Sequence, residues 1–174
     1  LKQAAYWVLD ANLSAGTLAF LFEQTDGIPV WVDPVSTIKA QKLLPHLNKI
    51  DCITPNLQEA SFLTGTSCTS YRDAPALAGQ LHQLGVKKVM ITLGEQGAYA
   101  SDRQNTYWLN AEATKVKNVT GCGDAAIAAL VHAESHGMNW HNSCKLAMAA
   151  AALTAASEQT NTSLQNRLAN QYEV

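Results

Sequence analysis

The feature that most constrains this chain is an alternation. Short apolar runs ending in a polar or turn residue are each followed by a segment with helical spacing. Tyr6-Trp7-Val8-Leu9 reads as a buried strand that stops at Asp10. Ser14 can N-cap the next segment, where Leu18, Leu21 and Phe22 share one helical face and Gly27 marks the end. Val30-Trp31-Val32 stops at Asp33-Pro34, and Thr37 to Leu47 reads as a helix interrupted or ended near Pro45. Cys52-Ile53-Thr54 closes at Pro55, and Asn56 opens a helix that runs to Gly65. Asp73 is expected to cap a helix carrying Leu77, Leu81 and Leu84 and ending at Gly85. Val89-Met90-Ile91-Thr92-Leu93 is the clearest strand, followed by a turn at Gly94-Glu95-Gln96-Gly97. Shorter strand-like runs stand at 98–100 and 107–109, and helices are predicted over 121–137, 140–158 and 163–172. Strands alternating with helices predict an α/β fold with a mainly parallel sheet and right-handed crossovers.

Composition excludes several function classes. Twelve Lys and Arg against 14 Asp and Glu give a net charge of -2, with no basic stripe suited to nucleic acid. No apolar run approaches the roughly 20 residues of a membrane span, so neither a nucleic acid nor a membrane is expected as a partner. Hydrophobic residues reach 47%, enough to argue against disorder. Cys52, Cys68, Cys122 and Cys144 contain no C-x-x-C pair and read as reduced thiols of a cytoplasmic protein. Only 15% of residues are charged, below the roughly 25% of an average domain. The chain opens on Leu1 rather than Met. Together these suggest a piece of a longer protein, with an apolar open face or edge on its first strands or a homodimer that buries it.

Four short motifs carry candidate chemistry, and each has an ordinary structural reading as well. In Val119-Thr120-Gly121-Cys122-Gly123-Asp124, two glycines flank a small residue where a helix begins. First-turn N–H groups and the helix dipole can hold an anion there. Asp124 can accept a proton from an attacking hydroxyl, or simply stabilise the helix start. Asn56 and Glu59 are spaced i, i+3, the pattern of an N-cap with a capping-box Glu. The same pair could contact phosphate and hold a magnesium-bound water. Asp33-Pro34 sits at a strand's carboxyl end, where ligands of open α/β sheets collect, although an Asp there also initiates turns. Thr92-Leu93-Gly94-Glu95-Gln96-Gly97 offers glycines for close phosphate approach or an ordinary turn. No P-loop, no dinucleotide-binding G-x-G-x-x-G and no G-x-S-x-G elbow is present. His132 and His136 have the i, i+4 spacing of a metal pair, but no third ligand joins them and they read as exposed helix residues.

The order of these motifs resembles the PfkB (ribokinase-like) family of carbohydrate and nucleoside kinases. Asn118-Val119-Thr120-Gly121-Cys122-Gly123-Asp124-Ala125 is similar to the family's C-terminal signature. Trp31 to Ala40, Thr54-Pro55-Asn56, Glu59-Ala60 and Thr160-Asn161 are most similar to the members that act on pseudouridine. The resemblance implies a three-layer fold with a mainly parallel sheet flanked by helices. It covers the C-terminal, ATP-binding and catalytic part over residues 1–174, with the N-terminal part and β lid missing. The implied activity is ATP-dependent phosphorylation of a ribose-type hydroxyl on a nucleoside or sugar. Asp124 would be the general base, and the backbone of Gly121, Cys122 and Gly123 the anion hole. Asn56 and Glu59 would position phosphate and Mg²⁺, with Asp33 in the supporting network. Thr92, Gly94 and Gly97 would line ATP phosphates and ribose, and Met148 and Ala152 would lie beside adenine. A K⁺ site is implied near Asn118, Thr120 and residues 155–160. Cys122 replaces the usual Ala, and Asn118 stands where many relatives carry Asp. The 174 residues alone are expected to have little or no kinase activity; the alternatives are another sugar or nucleoside kinase of the family, or a non-catalytic nucleotide-binding module.

Overall fold

The structure, a computed structural model, describes residues 3–112 and 116–157. The described residues fall into two compact units that divide between Trp108 and Leu109. Six strands run in sheet order β1-β2-β3-β4-β5-β6: Trp7–Asp10, Val30–Asp33, Cys52–Ile53, Lys88–Thr92, Ala98–Ser101 and Thr106–Leu109. The first four pair in parallel, and β4 pairs antiparallel with β5. The sheet is therefore mixed, with the expected parallel portion flanked by helices. The first parallel crossover carries α1 (Ala15–Glu23), and α2 (Thr37–Ala40) follows β2. The crossover from β3 to β4 carries α3 (Leu57–Thr64) and α4 (Ala74–Gln83).

Period-2 alternation sorts the strand residues of the first unit. Val30, Val32, Ile53, Val89, Ile91 and Tyr99 join one core with Leu18 and Phe22 of α1, Leu63 of α3 and Leu77 and Leu81 of α4. Trp31, Cys52, Met90, Ala98 and Ala100 are also buried but lie outside that core, on alternate strand positions. The strands read as continuous apolar runs because both sets are out of water. β1 is an edge strand, and its Val8 is 50% exposed.

Several helix boundaries differ from the sequence reading, each for a local reason. The predicted helix over 37–47 is α-helical only through Ala40 and continues as a 3-10 segment, Gln41–Lys49, that contains Pro45. Proline has no N–H to donate and crowds the preceding turn, which favours the tighter segment. Asp73 does not cap α4 with its side chain. Instead its carboxylate accepts the Ser70 N–H at 3.0 Å, completing a capping box with Ser70 one turn earlier. Those backbone N–H groups of Thr69 and Ser70 hold the Asp73 carboxyl below its usual pKa. Helix α1 stops at Glu23, before Gly27. Ser14 and Gly65 act as expected, the first accepting the Thr17 N–H and the second taking the left-handed C-cap conformation at φ 65°.

The second unit contains α5 (Cys122–Ser135) and α6 (Trp140–Ala156), which pack on each other. Small residues make that close approach feasible: Ala125, Ala126, Ala129 and Ala133 are buried on α5, and Ala147, Ala149 and Ala150 on α6. The helix predicted over 163–172, Thr160-Asn161 and residues 158–160 of the implied K⁺ site lie outside the described residues. Among the described residues, no helix is long and apolar enough to cross a membrane.

Candidate functional site

In the first unit, the carboxyl ends of β2, β3 and β4 gather Asp33, Asn56, Glu59, Thr92, Gly94 and Gly97. Asp33 ends β2, and Thr92 ends β4. Asn56 forms an isolated parallel bridge with Thr92, whose N–H donates to Pro55 O at 2.9 Å. Asn56 is thereby fixed beside the strand end as it starts α3. Its Oδ1 accepts the Glu59 N–H at 2.9 Å, and Glu59 Oε2 accepts the Asn56 N–H at 2.9 Å. The capping box is real. It uses Asn56 Oδ1 and Glu59 Oε2 for the two backbone N–H groups, and the Asn56 side chain also bonds the Glu59 carboxylate.

Glu59 is buried. Burial raises its pKa, the Asn56 backbone N–H opposes that shift, and the negative charge of Asp33 raises it further. Two carboxylates that feel each other's charge suit a hard divalent cation, which relieves both burial and repulsion. A larger cluster is absent: among the described residues no three His, Cys, Asp or Glu converge. The donor set fits Mg²⁺, which takes few protein carboxylates and keeps several waters.

Asp33 also shapes its own turn. Its Oδ1 accepts the Val35 N–H at 2.7 Å, and Ser36 N–H donates to Pro34 O at 2.7 Å. Val35 sits at φ 66°, a left-handed conformation that a β-branched residue rarely adopts. An i, i+2 hydrogen bond around a positive φ is a strained γ-turn, and such strain clusters at functional sites. The sequence reading missed it, because Val gives no signal for positive φ. It also missed the clamp between Lys39 Nζ and Asn12 Oδ1, which joins the segments after β2 and β1.

The Gly94–Gly97 turn closes a tight loop between β4 and β5. Leu93 N–H donates to Gly97 O at 2.9 Å, and Gly97 N–H to Gly94 O at 3.0 Å. Gly94 has φ 60° with open space where a Cβ would stand, and Gly97 has φ 89° and ψ -128°. Glycine is required at Gly97 by conformation, and the lack of side chains leaves the backbone approachable.

In the second unit, Gly121 is the N-cap of α5 at φ 84° and supplies no side-chain cap. Cys122 N–H donates to Val119 O at 3.3 Å, and Ala125 N–H to Gly121 O at 2.9 Å. The Gly123 and Asp124 N–H groups lie in the first turn, where no intrahelical acceptor exists. Asp124 is exposed at that mouth. Cys122 is half-buried, and burial pushes its thiol pKa up, so it is a neutral, compact lining residue. Asn118 Oδ1 accepts the Thr120 N–H at 2.9 Å, and Asn118 and Lys117 donate to Ala155 O at 3.2 and 2.7 Å. The Asn118–Thr120 loop is thus tied to the last turn of α6. Met148 and Ala152 share one face of α6 and are both half-buried.

The profile of the pfkB family carbohydrate kinases matches residues 3–167. The chain belongs to the pfkB family. The Escherichia coli (strain K12) pseudouridine kinase is 33% identical over 162 residues, covering 92% of this chain and 52% of its own length. A crystal structure of a candidate sugar kinase from Clostridium perfringens superposes with a TM-score of 0.91 at 30% identity, covering 99% of this chain and 55% of that one. Arabidopsis thaliana ribokinase, complexed with ribose and ATP, gives 0.76 at 25% identity over 90% and 51%. This pfkB-family chain spans about half the length of the relatives it matches.

Proposed function

We propose that this chain is the ATP-binding and catalytic part of a phosphotransferase that moves the γ-phosphoryl group of ATP to a ribose-type hydroxyl, with pseudouridine as acceptor. The observation that carries the reading is the open start of α5. A glycine N-cap, first-turn N–H groups without intrahelical acceptors and the exposed Asp124 meet within four residues. Asp124 accepts the proton of the acceptor hydroxyl as its oxygen bonds to phosphorus and the bond to the ADP oxygen breaks. The backbone of Gly121, Cys122 and Gly123 stabilises the charge that spreads over the transferred phosphoryl oxygens.

The residues of the first unit serve the nucleotide. Asn56 donates its amide to phosphate, and Gly94, Gly97 and Thr92 line the ATP phosphates and ribose. Glu59 and Asp33 would hold Mg²⁺, which would neutralise phosphate charge. Met148 and Ala152 offer a half-buried surface to the adenine, and Asn118 and Thr120 belong to a K⁺ site. Pseudouridine is favoured by the 33% identity to the Escherichia coli enzyme. The four cysteines are free, which suits the cytoplasm that this reading assigns. A homodimer through the β1 edge, where Val8 is half-exposed, completes it.

An acceptor panel with Mg-ATP tests the proposal. Pseudouridine, uridine, ribose and fructose 6-phosphate are incubated with the intact full-length protein, and ADP release is followed. The expected result is ADP formed with pseudouridine well above the others. Preference for ribose would move the acceptor within the family. A protein that binds Mg-ATP yet phosphorylates none would favour a non-catalytic nucleotide-binding module.

A further inference from the structure

The last turn of α5 carries a histidine pair outside the candidate site. His132 and His136 lie one turn apart there, both exposed, with ring centroids 4.2 Å apart and planes tilted by 39°. His136 is also the C-cap of the helix. Its Nδ1 lies 2.8 Å from His132 O. A carbonyl oxygen only accepts, so Nδ1 carries the proton and the Nε2 lone pair is left available. A ring nitrogen donating to a backbone carbonyl while the other stays unprotonated is the arrangement that orients a metal-ligating histidine. Ser135 Oγ donates to the same carbonyl at 2.7 Å and lies 3.2 Å from His136 Nδ1, which further holds the ring.

We propose that His132 and His136 form a chelating site for a borderline divalent cation of the Zn²⁺ class. Imidazole suits such ions better than Mg²⁺ or Ca²⁺. With Zn–N bonds of about 2.0–2.1 Å, two cis nitrogens stand roughly 3 Å apart. The rings stand 4.2 Å apart at a tilt of 39°, and the exposed His132 side chain can rotate to aim its nitrogen at a shared ion. The partial negative charge at a helix C-terminus favours a cation at this end. Among the described residues no third ligand completes a cluster, so water fills the remaining positions. The site is therefore open and exchangeable, and it is independent of the nucleotide-binding reading.

The test is a titration of the protein with ZnCl₂, read by calorimetry and by the imidazole ¹⁵N resonances. Before zinc, His136 should show the Nδ1–H tautomer, the minority form of free imidazole in water. Zinc should then shift both rings, with one ion bound per chain. His132→Ala and His136→Gln should each weaken binding at least tenfold, and the double variant should remove it. Both positions are exposed, so the folded far-UV spectrum should be retained. Wild-type affinity in either single variant, or zinc uptake that leaves both rings unmoved, would overturn the site.

Discussion

Substituting Asn56 separates a structural role from a ligand role, because the two use different atoms. The cap needs an oxygen at Oδ1, which accepts the Glu59 N–H at 2.9 Å. The proposed phosphate contact needs the amide nitrogen. Asn56→Ala removes both. Losing an N-cap costs about 1 kcal/mol, and stranding a partly buried donor brings the total to about 1–2 kcal/mol. For a chain of this length that lowers Tm by roughly 2–8 °C. Asn56→Ser keeps a capping oxygen, since Ser is as good an N-cap as Asn, and should cost only a few tenths of a kcal/mol. A charge-assisted hydrogen bond to phosphate contributes about 1.5–3 kcal/mol. Asn56→Ser should therefore weaken Mg-ATP binding by roughly 10- to 100-fold at nearly unchanged Tm. Differential scanning calorimetry and nucleotide titration on both variants make the comparison. If Asn56→Ser binds Mg-ATP as tightly as the parent chain while Asn56→Ala loses stability, Asn56 is a cap and nothing more, and the assignment fails.

Three other substitutions probe the local physics. A Cβ on Gly85 would stand 2.5 Å from Asn48 Cα at a φ of 112°, so Gly85→Ala should cost about 2–4 kcal/mol, combining overpacking with strain; urea unfolding would show it, and an unchanged midpoint would refute the close approach. Val35→Gly should release the left-handed strain and raise stability by roughly 0.5–1 kcal/mol after glycine's entropy cost, visible as a higher Tm, whereas a lower Tm would mean the turn is unstrained. Burial holds the Glu59 pKa above its ordinary value of 4.5. The folded protein therefore binds this proton more tightly than the unfolded chain, and the wild type loses stability as pH rises from about that value through the raised one. Glu59→Gln, which keeps the capping box, should gain on the wild type across that window in unfolding measured from pH 4 to 8. A gap between them that stays constant with pH would contradict the buried, metal-ready carboxylate.

Much of the fold was legible because strands buried on both faces announce themselves. Val30-Trp31-Val32 and Val89-Met90-Ile91 needed no tertiary context. Gly65 and Ser14 were equally plain, since only a few residue types fill those positions. What the sequence concealed was decided between segments. The chain leaves α-helical geometry at Ala40, before Pro45, and Asp73 is taken by the N–H groups of Thr69 and Ser70. The Val35 turn is imposed by the Val35 and Ser36 N–H groups donating to Asp33 Oδ1 and Pro34 O, against the residue's own preference. At the site, residue types and order were readable, but the mutual charge of Asp33 and Glu59 emerges only once β2 and α3 are side by side.

The claim at the centre of this account is that Asp124 takes the proton during phosphoryl transfer. Single-turnover kinetics of Asp124→Asn in the full-length protein, with Mg-ATP and pseudouridine, test it most directly, alongside nucleotide titration. The expected result is a fall in kcat of about 10²- to 10⁴-fold with Mg-ATP affinity retained. A variant that keeps near-normal kcat would contradict it.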